Sequence, residues 1–146
     1  MAKNNKGNNN NNYFAQNIQR FGENFINQKS PRDIQFDSIR LFRDIAKQNI
    51  DFNKYGEYFL NDMFMNNIMV GANSKYQLFK TNYDGVLLLS QQQPNDSIIM
   101  SVLENNRRCR DAYANIINAL NMFRATQNIN VLFQLSSILR DYRNNI

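Results

Sequence analysis

Few side chains in this sequence have the types needed for catalysis or for metal binding. The chain contains no histidine and a single cysteine, Cys109, so it lacks an intrachain disulfide and the usual cysteine and histidine sets for zinc. Cys109 falls on an apolar helical row beside Tyr113, and no histidine is present to deprotonate it. We therefore interpret Cys109 as a small buried thiol and not as a nucleophile.

Four aspartates, at positions 33, 37, 44 and 51, are the nearest approach to a set of paired carboxylates. Arg40 follows Asp37 by three residues and precedes Asp44 by four, which favours ion pairs on an exposed helix face over catalysis or a metal site. The motifs GxxxxGK[ST], GxGxxG, HExxH, CxxC and GxSxG do not occur. The sequence therefore predicts no enzyme, no cofactor and no metal site.

Arg107, Arg108 and Arg110 form the densest positive cluster and are the place where a nucleic-acid interface would have to begin. Glu104 and Asp111 have the helical spacing to neutralise the first two arginines, which leaves Arg110 and, further on, Arg124 unpaired. The aromatic residues follow the apolar row instead of alternating with the arginines, as base stacking would require. Nucleic-acid contact at these three arginines is therefore a minor alternative to a solvated face.

The composition predicts one folded domain preceded by a low-complexity arm. The chain has 146 residues, 42% of them hydrophobic, and a net charge of +5, which suits a single modest core. It also contains 27 asparagines and 11 glutamines, with few residues that have GC-rich codons, which indicates an AT-rich genome. We divide the chain into an arm, residues 1–12, and a helical domain, residues 13–146. The candidate partner contacts in the arm are Lys3, Lys6, Asn8, Asn9, Asn10, Asn11 and Asn12.

Apolar spacing and capping residues predict an all-α bundle of about five helices. A first helix is expected over 13–27, a second from Ser30 or Asp37, and a third from Asp51 or Asn53 to about Val70, with Gly71 as its C-terminal stop. Residues 76–90 are ambiguous: they fit either a short β-hairpin or a helix over 74–80 followed by a loop. Pro94 ends this stretch in either case.

The strongest pattern predicts a long helix over residues 97–126, capped by Asp96 or Ser97. Its apolar row has alternating spacings of three and four, and we take it as the central helix of the bundle and a candidate oligomer seam. The seam consists of Ile99, Val102, Asn106, Cys109, Tyr113, Ile116, Leu120 and Phe123. Asn106 either meets a partner amide and fixes the register or faces water near the helix end. A last helix follows a break at 127–130.

The N-terminal residues contain no apolar stretch, and no run of about 18 apolar residues occurs in the sequence. We therefore expect no secretory leader, no membrane span and no membrane partner. The expected state is a soluble protein, or one bound to other soluble proteins.

The asparagine-rich segment Asn8 to Asn12, the almost wholly helical body, the lack of catalytic motifs and the AT-biased composition together resemble a small virion protein of a tailed bacteriophage. The resemblance is to crAss-like phages, whose heads carry auxiliary capsid proteins and whose portals connect to helical ring proteins. It spans the whole chain, rests on composition and architecture, and carries over no functional residue.

The resemblance implies a structural protein of the virion, assembled in the host cytoplasm, that binds capsid or portal subunits and copies of itself. An auxiliary capsid protein is the first interpretation. Two alternatives stay open at this stage: a head-to-tail connector ring, in which the helix over 97–126 lines a subunit interface, and a small basic DNA-associated protein.

Overall fold

The computed structural model describes Gln16, residues 30–48 and residues 50–142, and the described part is an all-α bundle. Within these ranges the chain forms five helices and no strand. They are α1 (Pro31–Gln48), α2 (Phe52–Phe59), α3 (Asp62–Gln92), α4 (Ser97–Thr126) and α5 (Asn130–Tyr142). The predicted fold class is therefore confirmed. The arm over 1–12 and the helix expected over 13–27 lie outside the described residues, apart from Gln16.

Short polar side chains define where several helices begin. Ser30 Oγ accepts a hydrogen bond from the Asp33 backbone N–H at 3.2 Å, so α1 starts at Pro31 and not at Asp37. Asp96 Oδ1 accepts from the backbone N–H groups of Ile98 and Ile99 at 2.9 and 3.1 Å. The predicted cap of the long helix is thus confirmed, and α4 has the predicted bounds of 97–126.

The third predicted helix is wrong in both its continuity and its end. The chain makes two helices where one was expected, because α2 ends at Phe59 and Asn61 caps a new helix by accepting from the Phe64 N–H at 3.1 Å. Gly71 does not stop α3 but lies inside it, where a Cβ atom would collide with the side chain of Ser38 on α1. The glycine therefore permits a close approach of two helices.

Residues 76–90 form neither a β-hairpin nor a loop, because α3 continues through them to Gln92. Residues 82–85, with the sequence Asn-Tyr-Asp-Gly, are of types that favour turns. They do not break the helix, and its buried row continues from Ala72 through Phe79 to Ser90. Gln93 caps the C-terminus of α3 by donating its N–H to the Leu89 carbonyl, and Pro94 follows it, as the sequence predicted.

The two longest helices, α3 and α4, pack antiparallel. Arg124 donates to Asn66 Oδ1 at 2.9 Å near one end, and the Phe79 and Tyr113 rings stack at 5.9 Å further along. Helix α1 packs on α3, α5 packs on α4, and α2 makes smaller contacts with α3 and α5. The core lies between these helices, with the rings of Phe42, Phe59 and Phe123 fully or almost fully buried.

The core does not reach the far end of the α3–α4 hairpin. From Lys80 to Gln92 the one buried side chain is Ser90, and from Ser97 to Asn105 no residue is buried. At 1.5 Å per residue, the stretch of α3 beyond Phe79 is about 20 Å long. This stretch and the start of α4 therefore extend from the bundle as a two-helix projection.

Candidate functional site

The end of the projecting hairpin is the most unusual surface of the described chain. We call residues 85–103, which comprise the last turns of α3, the connection and the first turns of α4, the hairpin end. Five large hydrophobic side chains are exposed there: Leu88, Leu89, Ile98, Met100 and Val102. Ile98 keeps 75% and Leu88 63% of its surface in contact with solvent, which are the highest values among the exposed large hydrophobic residues.

The hairpin end is also nearly free of charge. Asp96 is its single charged residue, and its carboxylate is already used as the cap of α4. The remaining polar side chains are serines, glutamines and an asparagine, which are neutral donors and acceptors. A concentration of exposed apolar side chains among neutral polar ones is typical of a protein interaction site and not of a solvated helix face.

The exposed side chains continue a row that the bundle itself buries further along. On α4, Val102 precedes Cys109 by seven residues and Cys109 precedes Ile116 by seven, so the three lie in line on one side of the helix. Cys109 and Ile116 are fully buried, whereas 43% of Val102 is exposed. The row therefore extends beyond the helices of its own chain that could cover it.

The predicted oligomer seam divides into two parts in the structure. Cys109, Tyr113, Ile116, Leu120 and Phe123 are fully or almost fully buried inside the described bundle, so they are not available to a neighbouring subunit. Only the start of the seam, at Ile99 and Val102, is half-buried or exposed. The heptad pattern was identified correctly, but for most of its length it serves the core of the same chain.

Asn106 has neither of the two roles that the sequence suggested. It is buried, and its Nδ2 donates to the Val102 carbonyl of its own helix at 2.9 Å. The side chain thus satisfies itself locally at the position where the core ends and the hairpin end begins.

Cys109 is buried, as predicted. Desolvation raises the pKa of its thiol above the ordinary range, and the nearby positive charge of Lys75 offsets this only in part. A thiol of this kind is a poor nucleophile at neutral pH. In the described part of the chain, no three acidic, cysteine or histidine side chains come together in a way that would hold a metal ion.

The arginine cluster on α4 is largely compensated. Arg107 donates its Nε to Glu104 at 2.9 Å and forms an ion pair with Asp111 at 3.4 Å, and the hydrogen bond from Arg107 lowers the pKa of Glu104. Arg110 also pairs with Asp111, at 3.0 Å, and its guanidinium lies 4.4 Å from the centre of the Tyr83 ring.

The expectation that Arg110 is unpaired is therefore wrong, whereas Arg124 forms no ion pair with a described residue. The Asp111 carboxylate is shared between Arg107 and Arg110. Arg124 donates a hydrogen bond to the neutral amide oxygen of Asn66 on the facing helix. Arg108 is exposed. These contacts do not form a groove of free cations that could follow a phosphate backbone.

No family model matches the chain. Neither a curated protein nor a solved structure is significantly similar to it. We therefore infer function from the chain's own residues.

The remaining surfaces of the described chain are less distinctive. A depression on α1 is lined, among the described residues, by side chains of that one helix: Ile39, Arg40, Arg43, Asp44 and Lys47. The other exposed large hydrophobic residues, such as Met122 on α4 and Phe133 on α5, are scattered over four helices and the turn at Leu60.

Within the described ranges no helix is long and apolar enough to cross a membrane. The candidate partner contacts of the arm, Lys3 to Asn12, lie outside the described residues.

Proposed function

We propose that this chain is a non-enzymatic assembly protein that joins other proteins through the hairpin end. The observation that carries the proposal is the concentration of exposed apolar side chains there. Five of the eleven large hydrophobic side chains exposed in the described chain fall between Leu88 and Val102, in a stretch with one charged residue. Surfaces of this kind mark interaction sites in soluble proteins.

The shape of the surface supports a mechanical role. Two antiparallel helices that share one interface hold the apolar residues about 6–15 Å beyond the last buried core positions, on regular elements and not on a loop. A partner can therefore contact the hairpin end without approaching the charged surface of the bundle. Burial of apolar side chains against the partner supplies the main favourable free energy of binding, and the neutral polar side chains at the rim supply hydrogen bonds.

We further propose that the assembly is a phage virion and that the chain is an auxiliary protein of the capsid. The resemblance in composition and architecture supports this class. The connector ring is less well supported, because it used the long helix as a subunit interface and most of that seam is buried within the chain.

The DNA-associated alternative is supported by the net charge of +5 but not by the arginine contacts. The two interpretations respond differently to salt. Binding through phosphates weakens steeply as the salt concentration rises, whereas binding through apolar side chains persists.

The proposed function is tested by following the chain into purified virions. The virions are produced with the wild-type chain, with Ile98→Lys, or with the control Met122→Lys, and the chain is quantified against the major capsid protein by mass spectrometry. Both substitutions place the same charge on an exposed apolar position of α4, but only the first lies in the hairpin end.

We expect the wild type and the Met122→Lys variant in the same fixed ratio to the capsid protein, and the Ile98→Lys variant in a much lower ratio. A chain missing from virions would overturn the virion proposal. Equal incorporation of both variants would show that the hairpin end is not the binding surface.

A further inference from the structure

The hairpin end requires an occupant of particular shape and charge, and the structure limits what this occupant can be. The row that contains Val102, Cys109 and Ile116 is covered by helices of the same chain wherever it is buried. Its exposed extension at Ile98 and Val102 therefore has the geometry to receive another helix with an apolar row. The hairpin end itself presents such an apolar helical row, so it has the same kind of surface that it could bind.

We propose that the occupant is the hairpin end of a second copy of this chain, so that two copies join through a twofold axis into a four-helix arrangement. This inference rests on the proposed function, since it names the first partner of the same surface. In a twofold contact the same patch is used by both copies, so every residue near the axis meets its own counterpart or a close neighbour.

Charge supports a second copy over a partner of different sequence. A charged residue near a twofold axis faces the same charge on its counterpart, which is unfavourable in a desolvated contact. The hairpin end comes close to this requirement, because Asp96 is its single charged residue and the two backbone N–H groups at the positive end of α4 compensate part of its charge. The chain as a whole carries +5, so two copies repel each other least where they meet through this neutral end.

The polar side chains of the hairpin end also favour a second copy of the chain as the partner. The connection contains Gln91, Gln92, Gln93 and Asn95, whose amides both donate and accept hydrogen bonds. Such side chains can pair with their own counterparts across a symmetric contact, whereas lysine or glutamate cannot. The surface of one hairpin end is small, so we expect a dissociation constant on the order of 1–100 µM.

The first test is the molar mass of the full chain by analytical ultracentrifugation over a wide range of concentration, at low and at high salt. We expect a concentration-dependent dimer that persists at high salt. We expect Ile98→Lys to weaken the dimer by about a hundredfold, because both copies lose an apolar side chain and gain a like charge. The Met122→Lys control should leave the dimer unchanged.

The second test locates the contact. Ser101 in the hairpin end and Ser137 on α5 are both exposed and are replaced by cysteine in separate full-length variants. The native Cys109 is buried, so only the introduced thiol reacts with a short bismaleimide. Ser101→Cys should yield a covalent dimer and Ser137→Cys should not.

A wild-type chain that stays monomeric up to several hundred micromolar would overturn the inference. If the Ser101→Cys variant is monomeric and its thiol does not react with a maleimide dye, the chain's own residues 13–27 cover the surface. If it is monomeric and the thiol reacts freely, the partner has a different sequence. Equal weakening by both lysine variants would also overturn it. None of these results decides the virion assay, so failure of self-association and failure of the proposed function are distinguishable.

Discussion

Replacing Tyr113 with phenylalanine should stabilise this protein, although the side chain is at the centre of its core. Tyr113 is fully buried on α4, and its hydroxyl has no hydrogen-bond partner among the described residues. Its ring packs edge-on against Phe42 at 6.0 Å and stacks with Phe79 at 5.9 Å. Phenylalanine keeps both ring contacts and removes only the hydroxyl.

The magnitude follows from the cost of a buried polar group without a partner. Such a group loses its hydration on folding and gains nothing in return, at a cost of about 1–3 kcal/mol. Phenylalanine has no hydroxyl group, so the desolvation cost disappears and only a small void is left where the oxygen was. We expect Tyr113→Phe to raise the free energy of unfolding by about 1–2 kcal/mol at neutral pH.

The same substitution should change the response to alkaline pH. Desolvation raises the pKa of Tyr113 in the folded protein above its ordinary value of about 10. Above pH 10 the unfolded chain therefore releases the Tyr113 proton while the folded chain retains it, so the wild type loses about 1.4 kcal/mol of stability per pH unit from this group. Phenylalanine does not titrate, so the advantage of the variant should grow as the pH rises above 10.

Urea denaturation followed by far-ultraviolet circular dichroism measures both effects. The midpoint should rise with little change in slope, since the surface exposed on unfolding is nearly the same. Tyr58→Phe is the control, because the Tyr58 side chain is 41% exposed, and it should change stability by less than about 0.5 kcal/mol. A loss of 1 kcal/mol or more on Tyr113→Phe would refute the reasoning, because it would mean that the hydroxyl is hydrogen-bonded in solution.

Three further outcomes are expected from the helices. Gly85→Ala should stabilise the protein by about 0.5–1 kcal/mol in thermal or urea unfolding, because a Cβ at this helical position meets nothing within 4 Å, whereas Gly71→Ala should destabilise it because its Cβ collides with α1. The Cys109 thiol should react with a disulfide reagent about 10³-fold or more slowly than in urea, and a fast native reaction would contradict its burial. Burial and Arg43 lower the pKa of Lys75 in the folded protein. The stability of the wild type relative to Lys75→Met should therefore rise with pH between that lowered pKa and about 10.5. A stability difference that does not change with pH would show that the pKa of Lys75 is the same in the folded and the unfolded chain.

Local capping and apolar spacing were sufficient to predict much of the fold. The bounds of α4 followed from Asp96 and a heptad row, and the sequence offered the correct start of α1, at Ser30 and Pro31, beside an alternative start at Asp37. These signals are readable because each depends on residues within a few positions of each other.

The errors arose where tertiary contacts decide. Gly71 looked like a helix stop, but its meaning depends on Ser38, which is far away in the sequence and lies against it in the bundle. Turn-forming residues at 82–85 suggested a break, but the packing of α3 on α4 keeps the helix intact.

The candidate site was only partly predictable for the same reason. The seam on α4 was correctly read as apolar, and the sequence also contains the charge-free stretch from 85 to 103. What the sequence does not contain is the level at which the neighbouring helices stop covering the seam. That level, at Asn106, divides residues of the core from residues of the hairpin end.

The two-helix projection also has a consequence for how the molecule opens and closes. Between Lys80 and Asn105 the one buried residue is Ser90, so few buried contacts hold the backbone hydrogen bonds of these helices closed. Amide hydrogens in this region should therefore exchange with solvent through local fraying, at a free energy well below that of global unfolding. A partner that binds only the closed form slows this exchange in proportion to its concentration. The proposed binding surface would thus report its own occupancy through the order of its backbone, because it lies in the part of the described chain that has the fewest buried contacts.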